Sequence, residues 1–434
     1  MEISKDLLKK YNKSFAKNKQ LSAIKRALVR SKLADVVYVQ ESEQLVSTHF
    51  SHTIPALNIS NQKQSGRCWM FSGLTFLRYQ IAKKLKLESF ELSQSYLQYY
   101  DLLEKVNYFF SVIDKNLSLN PEDRRFMFIN EPLTGDGGYW QYFVNLVKKY
   151  GIVPKSVQPE NAQTSNTHHM QSLITLIAKK YAADAQSNFK AGKVELNQAL
   201  REKAFLDAFK VISSSMPAPI EKFDFEYTDK DKKYHIERNL TPQTFFEKYV
   251  DINLDDYVTV SSDCSRDFEF MQPYELEYCT NMEGAPCQVE FNLPKQRLIE
   301  LTVAQLRDNL PVWFACDVGK ESDSKHFANE MVAWREIFGL DLEYSEKDRI
   351  EMQELRLTHA MVFTGFSEVK KQVTKFKVEN SWGTEPGFSG IYPMSVSWFK
   401  KYVGEVIVDK KYLTEEEKQA LLKKPILKQY FELN

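Results

Sequence analysis

Residues 62–71 read Gln-Lys-Gln-Ser-Gly-Arg-Cys-Trp-Met-Phe, and far downstream come Thr358-His359-Ala360 and Glu379-Asn380-Ser381-Trp382-Gly383. The three stretches bring a Cys, a His, an Asn and a Gln into one chain, each in a distinctive local frame. A thiol attacks an amide poorly, whereas a thiolate is a strong nucleophile. An imidazole beside the thiol takes its proton, and the resulting ion pair depresses the thiol pKa. A carboxamide orients the other ring nitrogen, and an oxyanion formed in the attack needs hydrogen-bond donors. The pattern therefore predicts Cys68 as nucleophile, His359 as general acid/base and Asn380 as the orienter of His359. Gln62, with the backbone N–H of Cys68, is the expected oxyanion donor. Its separation from Cys68 (68 − 62 = 6) lets a short turn bring it back beside the thiol. Trp382 is expected to shield the His–Asn hydrogen bond from water.

The chain after Cys68 carries Met70, Phe71, Leu74, Leu77, Ile81 and Leu85 at helical spacing. This predicts a helix that starts at the nucleophile, where the macrodipole favours a thiolate. Ser93 reads as the N-cap of a second helix with Tyr96, Leu97, Tyr100 and Leu103 on its buried face. Pro121, Pro132, Gly135, Gly137 and Gly138 mark a loop, and a helix over 139–149 follows. From about residue 300 the texture turns to β-branched, alternating runs, which predict a mainly antiparallel, barrel-like lobe carrying His359 and Asn380.

The frame Asn61-Gln-Lys-Gln-Ser-Gly-Arg-Cys-Trp69 resembles the bleomycin hydrolase/aminopeptidase C family, the intracellular branch of the papain-like peptidases. It departs from the secreted signature C-G-[SA]-C-[WY]. Ser65 stands at the first Cys, and Arg67 at the small residue. Phe90–Leu97, Asp136–Gly138, Lys149–Pro154, Val312–Gly319 and Glu405–Asp409 are also similar to that family, whereas 160–300 and the last ten residues are less distinctive.

The resemblance implies an α+β, papain-like two-lobed fold with an N-terminal arm and an inserted helical subdomain. The expected division is 1–50 arm, 51–160 helical lobe with the nucleophile helix, 161–300 inserted mainly helical subdomain, 301–412 β lobe, and 413–434 C-terminal helix and tail. It implies a homohexamer whose sites face an inner chamber and admit short or unfolded peptides. It also implies an aminopeptidase. Gly137 and Gly138 would line the cleft and bond substrate backbone, Asp136 would orient that loop or meet a substrate amine, and the C-terminal carboxylate of Asn434 would receive the α-amine. Relatives end in a Trp-Asp-Pro-Met-Gly-Ala-Leu-Ala-like arm. This chain ends Lys424-Pro-Ile-Leu-Lys-Gln-Tyr-Phe-Glu-Leu-Asn434, which looks a few residues short. The alternative reading is an oligopeptide endopeptidase with an open cleft.

Composition narrows the rest. Lys+Arg and Asp+Glu both number 58 in 434 residues, so no global field draws the protein to nucleic acid or an anionic membrane. No apolar run approaches the ~18 residues of a spanning helix, and the N-terminus lacks a signal-peptide core. Cys68, Cys264, Cys279, Cys287 and Cys316 contain no CxxC pair, and His168-His169 lacks partners at metal spacing, so neither metal nor cofactor is expected. Secreted papain-like enzymes pair a Cys before the nucleophile with one near the Gly-Gly segment. Ser65 and Gly135-Asp136 in those places fit a reducing cytoplasm.

Overall fold

The computed structural model describes residues 1–55, 57–130, 134–265 and 268–429. The arm comprises α1 (Lys5–Lys17), α2 (Lys19–Ala27) and the single turn α3 (Leu33–Val36). Ser4 and Asn18 cap the first two helices through side-chain acceptors. Strand β1 (His52–Thr53) leads to α4 (Cys68–Leu85). Helix α4 starts at Cys68 as the spacing predicts, and every residue from Trp69 to Tyr79 is buried. It is the central helix, enclosed by both lobes, and a helix wrapped on all sides needs no polar stripe.

The helical lobe continues with α5 (Gln94–Lys115), α6 (Arg124–Ile129), α7 (Trp140–Tyr150), α8 (Ala162–Ser165), α9 (His168–Lys190) and α10 (Asn197–Ser215). The Ser93 hydroxyl caps α5 by accepting from the Tyr96 N–H at 3.1 Å, as expected. Helices α9 and α10 add a cluster on α5 in which Ile174, Tyr181 and Ala208 meet Phe109 and Phe110.

The 161–300 segment, expected as mainly helical, divides. Its second half holds the hairpin β2 (Phe223–Thr228) and β3 (Tyr234–Leu240), then α11 (Pro242–Tyr249) and three strands of the main sheet. These are β4 (Tyr257–Ser261), β5 (Gln272–Leu276) and β6 (Val289–Asn292). The β lobe thus begins near residue 257 rather than at 301. Local chemistry explains the difference. Phe223-Asp-Phe-Glu-Tyr-Thr alternates with period two, and Tyr257-Val-Thr-Val-Ser is β-branched. The charge run 229–233 is the hairpin's turn, where Asp229 accepts from the Asp231 and Lys233 N–H groups.

The β lobe adds α12 (Lys295–Arg307), β7 (Val312–Cys316), the short helices α13 (Trp334–Phe338) and α14 (Glu346–Glu351), β8 (His359–Val369), β9 (Gln372–Glu379), β10 (Ile391–Ser395), α15 (Val396–Tyr402), β11 (Val403–Asp409), α16 (Glu415–Leu421) and β12 (Ile426–Lys428). The sheet order is β10-β9-β8-β7-β11-β4-β6-β5-β12, with β1 beside β8. Pairing is antiparallel except β4–β6 and β5–β12. Both faces are apolar. Trp313 and Ala315 of β7 point to the α4 side, while Val312, Phe314 and Cys316 point to the opposite core. The strand therefore reads as a continuous hydrophobic run.

The arm packs on the body through α2, where the Gln20 amide donates to the carbonyls of Glu336 and Ile337 in α13. Helix α1 buries no residue.

Candidate active site

Cys68 is the first residue of α4 and is half-buried. Arg67, just before it, is 1% exposed. All five of its N–H donors are used. Nε donates to Ser65 Oγ at 3.0 Å, and Nη1 to Gln98 Oε1 and Glu160 Oε1 at 2.9 and 3.1 Å. Nη2 donates to Glu160 Oε2 at 2.9 Å and to the Thr164 carbonyl at 2.6 Å. Ser65 in turn donates its hydroxyl to the Gln62 carbonyl at 2.7 Å. A charged fork and a hydroxyl thus fasten the turn where secreted papain-like enzymes use a disulfide, and all five cysteines are free thiols.

His359 begins β8, opposite Cys316 of β7. Its Nε2–H donates to Asn380 Oδ1 at 2.8 Å, and the ring is also bonded to the Cys68 side chain. Asn380 Oδ1 accepts from the Ser381 N–H too, at 2.8 Å. Two N–H donors on one atom fix the amide orientation, since only the oxygen can accept them. Trp382 stacks on the imidazole with ring centroids 4.9 Å apart, the shielding that the sequence predicts.

Burial alone would push the Cys68 thiol up. The charge and hydrogen bond of His359, with the N–H groups of Ala360 and Trp69, outweigh it and hold the thiol below its ordinary range. Burial alone would likewise lower His359. The Cys68 thiolate and Asn380 reverse that, and the imidazole sits above its ordinary value. Each group favours the charged form of the other.

Gln62 is buried, and the lead-in positions it. Its N–H donates to the Ser381 carbonyl at 2.7 Å, and Asn61 pairs with Trp382. Ser381 Oγ donates to Gln62 Oε1 at 2.6 Å, and Gln62 Nε2 donates one N–H to the Ser65 carbonyl at 2.7 Å. The second Nε2–H meets no acceptor among the described residues. Ser381 therefore links the Gln62 amide to the Asn380 backbone, a coupling that residue types alone do not reveal.

The glycine loop is held from beneath. Lys105, 2% exposed, donates to the carbonyls of Gly135 and Gly137 at 2.9 and 2.7 Å. It pairs with Asp101 at 2.7 Å, which also accepts from Asn281 at 2.9 Å. A Cβ on Gly138 would lie 2.5 Å from the Trp69 indole, so glycine is required there, while Gly137 is open. Asp136 Oδ2 accepts from the Gly66 N–H at 3.0 Å and from Thr167, and Oδ1 accepts from Gln171 at 2.5 Å. Both oxygens accept from the chain's own donors, which tie the loop to Gly66 of the nucleophile turn and to Thr167 and Gln171. Asn434 lies outside the described residues. The described chain leaves the sheet at β12, where Lys428 is 8% exposed and paired with Asp263 at 3.0 Å.

Among the described residues, no cluster of three or more His, Cys, Asp or Glu could hold a metal ion, and no helix is long and apolar enough to cross a membrane.

Residues 2–432 match the Peptidase C1-like family. Aminopeptidase G of Lactobacillus delbrueckii subsp. lactis is 36% identical over 427 residues, covering 98% of this chain and 97% of that protein. Aminopeptidase E of Lactobacillus helveticus is 34% identical and covers 96% of each chain. The crystal structure of PepW from Lactobacillus rhamnosis HN001 superposes with a TM-score of 0.96 at 33% identity, over 99% of this chain and 97% of that one. The two-lobed architecture built around α4 is therefore papain-like, and the chain belongs to the Peptidase C1-like family as a papain-like cysteine peptidase.

Proposed function

We propose that the protein is a cytoplasmic aminopeptidase of short or unfolded peptides, working through Cys68, His359, Asn380 and Gln62. The observation that carries this reading is the contiguous set of bonds from Cys68 to His359 to Asn380, closed by Ser381 onto Gln62. The Cys68 thiolate attacks the scissile carbonyl carbon, a C–S bond forms, and the carbonyl oxygen takes the electron pair. The free Nε2–H of Gln62 and the first-turn N–H of Cys68 receive that oxyanion. The His359 imidazolium then gives its proton to the leaving amine as the C–N bond breaks. Neutral His359 next takes a proton from water, the hydroxide attacks the thioester carbon, and the thiolate departs. Asn380 keeps Nε2 occupied throughout, so the other ring nitrogen faces the sulfur.

Three observations support the finer parts. Relatives at 34–36% identity are named aminopeptidases. Five free thiols suit a reducing compartment. Leu8, Tyr11 and Phe15 of α1 are 48%, 54% and 41% exposed in a single chain, an apolar face that assembly into a homohexamer would cover. Light scattering near six times 50.7 kDa is the expected result.

The test of exopeptidase action compares peptides with free and blocked α-amines. An aminopeptidase refuses the blocked peptide, and removal of residues 431–434 weakens cleavage of the free one and admits the blocked one. Wild-type cleavage of blocked peptides, unchanged by truncation, is the endopeptidase result and defeats the proposal.

A further inference from the structure

The nucleophile helix carries a second buried arginine that the acyl-transfer scheme does not use. Arg78 lies ten residues after Cys68 (78 − 68 = 10). Its Nη2 is ion-paired with Glu379, the two side chains being 1% and 2% exposed. The Tyr79 hydroxyl donates to the other oxygen of the same carboxylate at 2.6 Å, and it takes a backbone hydrogen bond from Leu57 in the lead-in to Gln62. Nε and Nη1 of Arg78 are buried without partners among the described residues. Glu379 is the last residue of β9, flanked by Val362 of β8 and Ile391 of β10, and its next neighbour in the chain is Asn380.

An incompletely satisfied buried ion pair is a poor device for stability, because an apolar pair of similar shape serves as well. Its use lies in fixing a position. We infer that Glu379 is a positioning residue: gripped by Arg78 and Tyr79, it locks the strand end that carries Asn380 to the helix that carries Cys68. It thereby sets the separation of His359 and Cys68. The inference rests on the Cys68–His359–Asn380 reading above.

The geometry is that of a lever. Near its start, α4 is tied to the sheet by Ser72 Oγ donating to the Ala360 carbonyl at 2.9 Å and by Trp313 Nε1 donating to the Trp69 carbonyl at 3.1 Å. That gives one fixed region. The Glu379 clamp supplies another, six to nine residues on and so roughly 9–14 Å farther along the axis at ~1.5 Å per residue. Two separated anchors fix a direction where one does not. A tilt of about 5° over about 11 Å displaces the far end, and with it the strand end that carries Asn380, by about 1 Å. A misplacement of ~1 Å in a reacting group costs on the order of 100-fold in rate.

The test is the double variant Arg78→Met/Glu379→Met, which removes both charges and keeps apolar volume. If the pair were merely structural, its removal would leave kcat and the titration of Cys68 as in wild type. The clamp predicts an unchanged or higher melting temperature together with kcat lowered about 10- to 100-fold and KM within about threefold. It also predicts that the pH profile of Cys68 alkylation by iodoacetamide, read at that residue by mass spectrometry, moves to higher pH as the thiolate loses its imidazolium partner.

Cys68→Ala is assayed in parallel. Turnover by Cys68→Ala defeats the active-site reading itself. A dead Cys68→Ala beside a double variant with wild-type kcat and alkylation profile overturns the clamp alone. If the double variant fails to fold, Tyr79→Phe removes one of the two grips and leaves the ring. A loss of about threefold to tenfold is then expected, with the same alkylation shift. Wild-type behaviour of Tyr79→Phe overturns the inference equally.

Discussion

Arg67 and Arg78 flank the first three turns of α4, both 1% exposed, and they are satisfied in opposite ways. Arg67 places every N–H on an acceptor, whereas Arg78 leaves two nitrogens without one. Their settings account for the difference. Arg67 lies in a turn beside other loops, where a hydroxyl, a side-chain amide and a free backbone carbonyl can be brought to it. Arg78 lies in mid-helix, where surrounding carbonyls are spent on the helix ladder and the neighbours are apolar. A turn can be rebuilt around a guanidinium and a helix cannot. The Arg67 network therefore stabilises the nucleophile turn, while the Arg78 pair contributes orientation with little net stability.

The largest effect sharpens what both arginines serve. Cys68→Ala is expected to abolish peptide hydrolysis while leaving the melting curve and assembly intact, as measured by product release and calorimetry. Next come the arginines singly. Arg67→Ala strands Glu160 in a largely buried site and should cost about 3–5 kcal/mol in urea unfolding. Arg78→Ala also removes two unpartnered nitrogens and leaves Glu379 bonded to Tyr79, so about 1–3 kcal/mol is expected. Equal losses for the two variants would break the comparison.

Gln62→Ala removes an oxyanion donor but no charge. It should lower kcat about 100- to 1000-fold and leave the thiol titration in place. A shifted alkylation profile in that variant would mean that Gln62 acts on the thiolate instead.

The smallest effect is one of pH. The Cys68 thiol is held below its ordinary range by His359 and His359 above its own by the Cys68 thiolate, so each shift favours the thiolate–imidazolium pair. The kcat/KM profile should rise as the thiol deprotonates and fall as the imidazolium does. Asn380→Ala deletes one of the interactions that raise His359. Its alkaline limb should move to lower pH, and a limb that stays fixed would show that Asn380 does not support the imidazolium.

Much of the site was legible because short-range chemistry surrounds each part. Gln62 and Cys68 share one turn, His359 opens a β-branched run, and Asn380 sits before Ser-Trp-Gly. The helix start at Cys68 and the Ser93 cap are equally local. The inserted segment was harder to read. Strand β4 carries a local β-branched signal, whereas β5 and β6 find their partners only after the chain has folded back, so local propensity did not assign those two to the β lobe. The dual role open to Asp136 also needed coordinates, because Gly66, Thr167 and Gln171 approach its carboxylate from separate parts of the chain.

By itself the sequence determined which atoms can do chemistry here: a thiol at a helix start, an imidazole, and two carboxamides. Those properties reside in residue types and their nearest neighbours. Only the tertiary structure decided how these groups are held. Glu379 meets Arg78 across 301 residues, Ser381 meets Gln62 across 319, and Arg67 meets Glu160 across 93. No periodicity or motif encodes such pairs. Each forms because burial removes the competing water, and an unmatched charge or amide must then find whichever partner the packing of the two lobes brings within reach.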